Sequence, residues 1–239
     1  MYQNYIFDLY GTLADVHTNE RKPYLWRKVC DLLAGFGADY TPAECRNAYF
    51  SGITLLEQES HTENVEIQIE EVYKRMFLAK NVTPTEQYIF TLGNLFRIVS
   101  REKLGLYPGV TEFLTALKKA NKKIYLLSNA QRLFTEPEVH ALGLLPYFDG
   151  VFYSSDIGIK KPAPAFMERL LTTYGLDRKK SIMIGNDPSC DVGIANACQM
   201  DSLYIHSNIS PALSGSPVPA TYVIMDGDFT KVSPLILKS

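Results

Sequence analysis

Short apolar runs recur along the chain and predict the strands of a buried sheet. The first run covers residues 5–7 and stops at Asp8, just before a Gly-Thr turn. Five more runs follow, at residues 124–127, 151–153, 182–184, 203–205 and 222–224. Helical periodicity separates several of them, over residues 110–120, 163–174 and 188–198. This alternation predicts an α/β fold built on a parallel sheet that is covered on both faces.

A long segment between the first two runs has a different pattern. Residues 16–103 contain no convincing strand and show helical spacing of apolar side chains, as at Leu25, Val29 and Leu33. Thr41-Pro42-Ala43-Glu44 and Thr83-Pro84-Thr85-Glu86 both resemble helix starts, because each combines a capping hydroxyl with Pro at the first helical position and Glu at the third. We therefore expect a helical domain over residues 16–103, inserted into a core formed by residues 1–15 and 104–239.

Composition and charge restrict the possible partners. The 239 residues are 46% hydrophobic and 21% charged, as in ordinary globular chains. With a net charge of -2, the chain has no overall field that would attract nucleic acid or an anionic membrane. The first residues lack the pattern of a secretory signal, and no apolar stretch approaches about 18 residues. We expect a cytoplasmic protein with reduced cysteines, a small-molecule substrate and no nucleic-acid or membrane partner; the pattern leaves the oligomeric state open.

Polar residues that follow the apolar runs are the candidates for chemistry. An open parallel sheet binds its ligand outside the carboxyl ends of its strands. Asp8, Ser128, Lys161 and Asp187 would converge there. Such a group suits attack by the Asp8 carboxylate on an electrophile, with Ser128 and Lys161 stabilising the negative charge that develops.

Four short motifs contain these residues and occur in a characteristic order. They are Asp8-Leu9-Tyr10-Gly11-Thr12-Leu13, Ser128-Asn129, Lys161-Pro162, and Gly185-Asn186-Asp187 with Asp191. In this order they resemble the motifs of the haloacid dehalogenase superfamily. The resemblance implies a Rossmann-like core, a helical cap inserted after the first motif, and an Asp8 side chain that becomes a covalent ester or acyl phosphate. We assign Thr12 and Asn129 to substrate binding, and Asn186 and Asp191 to a supporting role.

The first motif departs from that of the family's phosphatases, which carry a second Asp, as acid and base, where this chain has Tyr10. An alkoxide leaving group needs a proton, and a phenol with a pKa of about 10 is a poor acid at neutral pH. A halide needs no proton. The family's L-2-haloacid dehalogenases have Tyr at this place, and their Asp-x-Tyr-Gly-Thr-Leu-x-Asp-Val-His string is similar to residues 8–17.

The fourth motif favours a phosphatase instead. Asp187 and Asp191, with Asp8 and the carbonyl of Tyr10, resemble the oxygen ligands that hold Mg²⁺ in family phosphatases. We therefore predict a Mg²⁺-dependent phosphatase for a small phosphorylated metabolite with a good leaving group, such as an acyl or aryl phosphate. Its predicted catalytic residues are Asp8, Tyr10, Ser128 and Lys161, and its predicted metal ligands are Asp8, Tyr10 and Asp187.

Two alternatives stay open. One is an (S)-2-haloacid dehalogenase, which needs no metal and would use a cap arginine, such as Arg27 or Arg46, to hold the substrate carboxylate. The other is a binding or regulatory protein that kept the pocket and lost turnover, motivated by Tyr10 and by Asn186 in place of the Asp of many relatives.

Overall fold

The fold follows the predicted alternation of strands and helices. It was obtained as a computed structural model that describes residues 1–60, 63–213 and 215–237. The strands are β1 (Asn4–Phe7), β2 (Ala14–Thr18), β3 (Arg101–Leu106), β4 (Lys123–Ser128), β5 (Gly150–Tyr153), β6 (Ser181–Gly185), β7 (Asp201–Ile205) and β8 (Tyr222–Ile224). The helices are α1 (Pro23–Gly35), α2 (Pro42–Glu59), α3 (Ile69–Leu78), α4 (Glu86–Ser100), α5 (Val110–Lys119), α6 (Arg132–Ala141), α7 (Ser154–Ile157), α8 (Pro164–Tyr174), α9 (Gly193–Ala197) and α10 (Val232–Ile236).

Six of the strands form one parallel sheet in the order β5-β4-β1-β6-β7-β8. The predicted α/β fold is therefore confirmed. All six predicted apolar runs lie in these strands, and β1 occupies a central position because its side chains are buried on both faces. Tyr5 and Phe7 pack against Phe113 of α5 on one face, whereas Ile6 belongs to the cluster of Phe166 in α8 on the other. This arrangement fixes the end of β1, and with it Asp8, in the middle of the sheet edge.

Helices α1 to α4 follow β2 and contain most of a separate hydrophobic cluster. Five aromatic side chains of these helices are buried in it: Trp26, Tyr49, Tyr73, Phe77 and Phe96. Phe50 packs against the cluster, and Tyr24 is exposed. This separate cluster supports the predicted division into a core and a helical cap, which stays a prediction. Among the described residues, no helix is both long and apolar enough to cross a membrane.

Two strands occur where the sequence predicts none. β2 and β3 pair with each other in an antiparallel ribbon, so the expectation that residues 16–103 lack strands is wrong at both ends of that segment. The sequence pattern misses the ribbon because its strands mix polar and apolar residues and most of their side chains are exposed or only partly buried, with Asp15 paired to Lys103 across it. The predicted boundaries, after residues 15 and 103, fall inside this ribbon.

One of the two predicted helix starts is correct and the other is displaced. Thr41 caps α2 through a capping box with Glu44. The second helix begins at Glu86, two residues after the expected start, because the hydroxyl of Thr85 accepts the main-chain N–H of Tyr88. The predicted helix over residues 188–198 is also modified. It begins as one turn of π-helix, Pro188–Val192, and continues as α9.

Candidate active site

The carboxyl edge of the sheet brings the predicted site residues into one cavity. Eight of the nine predicted residues line a space of about 200 Å³, hereafter the catalytic cavity, and Thr12 lies directly behind it against Asp8. Asp8 follows β1, Ser128 ends β4, and Asp187 follows β6. Strands β4, β1 and β6 are neighbours in the sheet, so their carboxyl ends lie side by side and bring these three residues together.

Lys161 is the central cation of this cavity. It is 2% exposed, and its Nζ donates to Asp8 Oδ1 at 2.7 Å, to Asp191 Oδ1 at 2.7 Å and to the main-chain carbonyl of Leu127 at 2.9 Å. Burial alone would lower the pKa of Lys161, but Asp191 and Asp8 raise it, so the ammonium stays charged. Burial raises the pKa of Asp191 to about 7, and the ion pair with Lys161 offsets part of that effect.

Asn129 holds the main chain of Lys161 in place. Its Oδ1 accepts the N–H of Lys161 at 2.7 Å, and its Nδ2 donates to the carbonyl of Lys161 at 3.0 Å. Both groups of the amide are thus engaged. The structure therefore gives Asn129 a positioning contact beside the substrate-binding role that the sequence suggests.

Thr12 contacts the nucleophile candidate from the other side, and Asn186 lies next to Thr12. The hydroxyl of Thr12 lies 3.1 Å from Asp8 Oδ2 and 3.2 Å from Asn186 Oδ1, and it can donate to one of them at a time. Gly11 permits this close packing. Its φ is +88°, and a Cβ there would lie 2.2 Å from Asn186 Nδ2.

Ser128 contributes a hydroxyl without an internal partner. Its Oγ is buried, and it makes no hydrogen bond to any residue that the structure describes. An unpaired buried hydroxyl is costly, and a phosphoryl oxygen in the catalytic cavity would satisfy it. The predicted contact of Ser128 with developing negative charge fits this position.

Asp187 has a structural contact as well as a place in the cavity. Its Oδ1 accepts the main-chain N–H groups of Ser189 and Cys190 at 2.7 and 3.0 Å, which caps the π-helical turn. Asp191 follows one turn later, where its Oδ2 accepts the N–H of Asp187 at 2.9 Å and its Oδ1 binds Lys161. The same turn therefore presents one carboxylate to the cavity and a second one to the buried ammonium.

The catalytic cavity offers oxygen ligands to a divalent cation. Three acidic side chains, those of Asp8, Asp187 and Asp191, line this cavity with one ammonium, that of Lys161, which pairs with Asp8 and Asp191 and leaves Asp187 without an ion pair among the described residues. The described residues contain no cluster of three or more His, Cys, Asp or Glu side chains arranged as a metal site. Mg²⁺ does not need one, because it commonly binds one or two carboxylates and keeps several waters. Asp8, Asp187 and the carbonyl of Tyr10 fit such an ion by charge and by ligand chemistry.

The hydroxyl of Tyr10 is engaged by residues outside the predicted site. It donates to Glu138 Oε2 at 2.5 Å and lies 3.1 Å from Thr135 Oγ1, both on α6. Glu138 is 1% exposed and also accepts two hydrogen bonds from Arg97 of α4, at 2.8 and 3.0 Å, and one from Arg101 at 3.1 Å. The Arg97 guanidinium lies over the Tyr10 ring. Burial raises the pKa of Tyr10 well above its ordinary value, so the phenol stays protonated and bound to Glu138.

Arg97 and Glu138 are thus residues of this region that the sequence did not indicate. The two arginines that it offered for a carboxylate, Arg27 and Arg46, are exposed, and Arg46 lies over the ring of Phe50. The one signal for Arg97 is its position in the last turn of a helix that returns toward the core. No regular spacing in the sequence connects Arg97 with Glu138.

Comparison with known proteins decides the family. The model of haloacid dehalogenase-like hydrolases matches residues 2–199. The chain belongs to the haloacid dehalogenase-like hydrolases. The resemblance of its four motifs to this superfamily is therefore confirmed over most of the chain.

The curated relatives of this haloacid dehalogenase-like hydrolase include phosphatases. A phosphoglycolate phosphatase of Nitrosococcus oceani is 36% identical over 92 residues, which cover 38% of this chain and 40% of the relative. A glyceraldehyde 3-phosphate phosphatase of Methanothermobacter thermautotrophicus is 27% identical over 168 residues, or 68% of this chain and 74% of the relative. The chain therefore spans less than half the length of the first of these relatives.

Solved structures share the fold at low sequence identity. A 2-haloacid dehalogenase from Pseudomonas syringae pv. Tomato DC3000 matches with a TM-score of 0.69 and 20% identity, over 99% of each chain. A phosphatase of the same superfamily from Thermococcus onnurineus matches with a TM-score of 0.63 and 19% identity, over 99% of this chain and 98% of the other. Because phosphatases and dehalogenases both appear, the fold alone does not distinguish the two reactions.

Proposed function

We propose that this hydrolase is a Mg²⁺-dependent phosphatase for a small organic phosphate with a good leaving group. The observation that carries the proposal is the excess of acidic side chains in the catalytic cavity, where three acids and one ammonium lie beside the hydroxyl of Ser128, which has no partner among the described residues. Phosphatases among the relatives support the same class of reaction.

The proposed reaction has two steps. In the first, a carboxylate oxygen of Asp8 attacks phosphorus, the bond to the leaving-group oxygen breaks, and that oxygen departs with the bonding electrons. In the second, water attacks phosphorus, the bond from phosphorus to the Asp8 oxygen breaks, the Asp8 carboxylate returns, and dihydrogen phosphate, which keeps the protons of the water, departs. Ser128 would donate to a phosphoryl oxygen, Lys161, whose three N–H groups are already donated, would stabilise the phosphoryl charge electrostatically, and Thr12 would keep the Asp8 carboxylate oriented.

The metal would be held by Asp8, Asp187 and the main-chain carbonyl of Tyr10. Bound there, Mg²⁺ would supply charge that screens the Asp8 carboxylate from the phosphate dianion. Lys161 cannot do this alone, because its charge is already shared between Asp8 and Asp191.

Tyr10 explains the preference for a good leaving group. Its hydroxyl donates to Glu138, and its raised pKa makes it a weak acid. The chain therefore lacks an acid at this place for an alkoxide, whereas a phenolate or carboxylate leaving group departs with little need of a proton.

A direct assay separates this proposal from its alternatives. We expect p-nitrophenyl phosphate to be hydrolysed with Mg²⁺ and the activity to fall to background with EDTA, while 2-chloropropionate releases no halide. Halide release that survives EDTA would replace the proposal with dehalogenation, the reaction that Tyr10 favours. Binding of aryl phosphate without product would identify a binding protein that has lost turnover.

Two substitutions at Tyr10 test its role. We expect Tyr10→Phe to keep aryl phosphatase kcat within about fivefold of wild type, because the lost hydroxyl contacts Glu138 and not the reacting atoms. We expect Tyr10→Asp to raise kcat/KM for an alkyl phosphate about tenfold or more relative to an aryl phosphate, by supplying an acid. A loss of activity in Tyr10→Phe as large as that of a missing nucleophile would make the phenol a catalytic acid after all.

A further inference from the structure

A second cavity adjoins the catalytic cavity on the side of the inserted helices. It measures about 420 Å³ and shares Tyr10 and Asn129 with the catalytic cavity. Hereafter it is called the outer cavity. A phosphate that satisfies Ser128 in the catalytic cavity would therefore direct its organic part into the outer cavity.

Three carboxylates line this outer cavity. Glu66 is fixed by Gln131 Nε2, which donates to Oε1 at 2.9 Å, and by Ser154 Oγ, which donates to Oε2 at 2.8 Å. Glu20 is partly buried beyond the end of β2, and Glu57 lies exposed at the rim on α2. The donors to Glu66 are neutral, so they hold its charge in position without cancelling it.

The described lining of the outer cavity contains one basic side chain, and a carboxylate already binds it. Arg97 is the one basic side chain in its described lining, and its guanidinium is bound through two hydrogen bonds to Glu138. Glu138 also accepts from Arg101, so its single charge is shared by two arginines, and Arg97 is held in place without being fully neutralised. The three lining carboxylates still outnumber this one basic side chain of the described lining, so a substrate carboxylate would meet a net negative surface.

Burying the carboxylates of Glu20 and Glu66 costs desolvation free energy, which neighbouring groups offset only in part. Desolvation raises the pKa of Glu20, with Arg97 offsetting part of the effect, and it raises the pKa of Glu66, with Ser154 and Lys160 as partial compensation. A positive charge placed between the two carboxylates would relieve this cost in both.

We propose that the outer cavity selects organic phosphates whose leaving group carries a cationic nitrogen, and that Glu20 and Glu66 determine this selectivity. The inference rests on the proposed phosphatase function and adds its substrate class. The phosphate would be held by Ser128 and Lys161 in the catalytic cavity, while an ammonium or guanidinium would lie between the carboxylates of the outer cavity.

A matched set of aryl phosphates tests the inference. The set consists of phenyl phosphates with para substituents –CH2CH2NH3⁺, –CH2CH2OH and –CH2COO⁻, which share a phenolate leaving group and differ mainly in charge. We expect kcat/KM with Mg²⁺ to be about tenfold higher for the cationic than for the neutral compound, and lower again for the anionic one. In the double variant Glu20→Gln, Glu66→Gln we expect the ratio of cationic to neutral substrate to approach one.

Each outcome gives a decision. Glu112→Gln, an exposed acid on α5 outside both cavities, is the control and should keep the wild-type ratio. If wild type hydrolyses all three compounds without preferring the cationic one, or if the double variant keeps that preference, the inference is overturned and the phosphatase function stands. If none is hydrolysed, both fall. A double variant that fails to fold is replaced by each single substitution, for which a partial loss of the ratio is expected.

Discussion

Asp8→Asn is expected to abolish phosphatase turnover, with a loss of kcat of at least about 10³-fold, because an amide oxygen does not form the aspartyl phosphate. We expect the fold to be kept. Lys161 retains its 2.7 Å contact with Asp191 and its 2.9 Å contact with the carbonyl of Leu127, so the buried ammonium stays paired when Asp8 loses its charge. The measurement is aryl phosphate hydrolysis with Mg²⁺, with circular dichroism to verify folding.

A trapping experiment checks the same step independently of rate. Acid quenching during turnover should leave a phosphoryl group on the wild-type peptide that contains Asp8, and mass spectrometry should find that peptide unmodified in Asp8→Asn. The exposed Asp39 provides a matched control, since Asp39→Asn removes a carboxylate far from the chemistry along the sequence. Turnover of Asp8→Asn close to that of Asp39→Asn would reject Asp8 as the nucleophile.

The core sheet could be predicted because its strands are short apolar runs that must be buried on both faces. The end of β1 at Asp8 follows directly from the change between Phe7 and Asp8. The β2–β3 ribbon could not be predicted in this way, because most of its side chains are exposed or only partly buried and each strand has its pairing partner about 90 residues away. A pattern of apolar residues reveals strands whose side chains are buried, and this ribbon buries few side chains.

The candidate site could be predicted only in part, for a related reason. Asp8, Ser128 and Asp187 lie at strand ends, so the topology of a parallel sheet brings them together. Arg97 and Glu138 meet because α4 packs against α6, a tertiary contact that no local spacing encodes. Pro137 also lies inside α6, where it removes a helical N–H donor and obscures the helix that carries Glu138.

The second large effect is expected from Glu138→Gln, as a loss of stability. Glu138 is 1% exposed and forms ion pairs with both Arg97 and Arg101 while accepting from Tyr10. Gln keeps the volume but leaves two guanidinium groups beside each other without a counter-charge. Removing one partner of a buried ion pair costs several kcal/mol, and because both arginines are partly solvated we expect a loss of about 3 kcal/mol in the free energy of unfolding. Urea unfolding at neutral pH measures it.

The control for Glu138→Gln lies on the same helix. Glu136 pairs with Arg132, and both side chains are about half exposed, so Glu136→Gln should change the free energy of unfolding by less than about 1 kcal/mol. Equal losses in the two variants would show that helix propensity, and not the buried charge, sets the effect.

The dependence of the stability difference on pH provides a second check. Burial alone would raise the pKa of Glu138, but the hydrogen bonds and charge of Arg97 lower it below its usual 4.5. A carboxyl with a lowered folded pKa stabilises the protein fully above its unfolded value and loses that contribution as pH falls through the folded value. The stability difference between wild type and Glu138→Gln should therefore be constant from neutral pH to about pH 5 and shrink below it. A difference that grows on acidification would contradict the charged state of Glu138 and its pairing with Arg97.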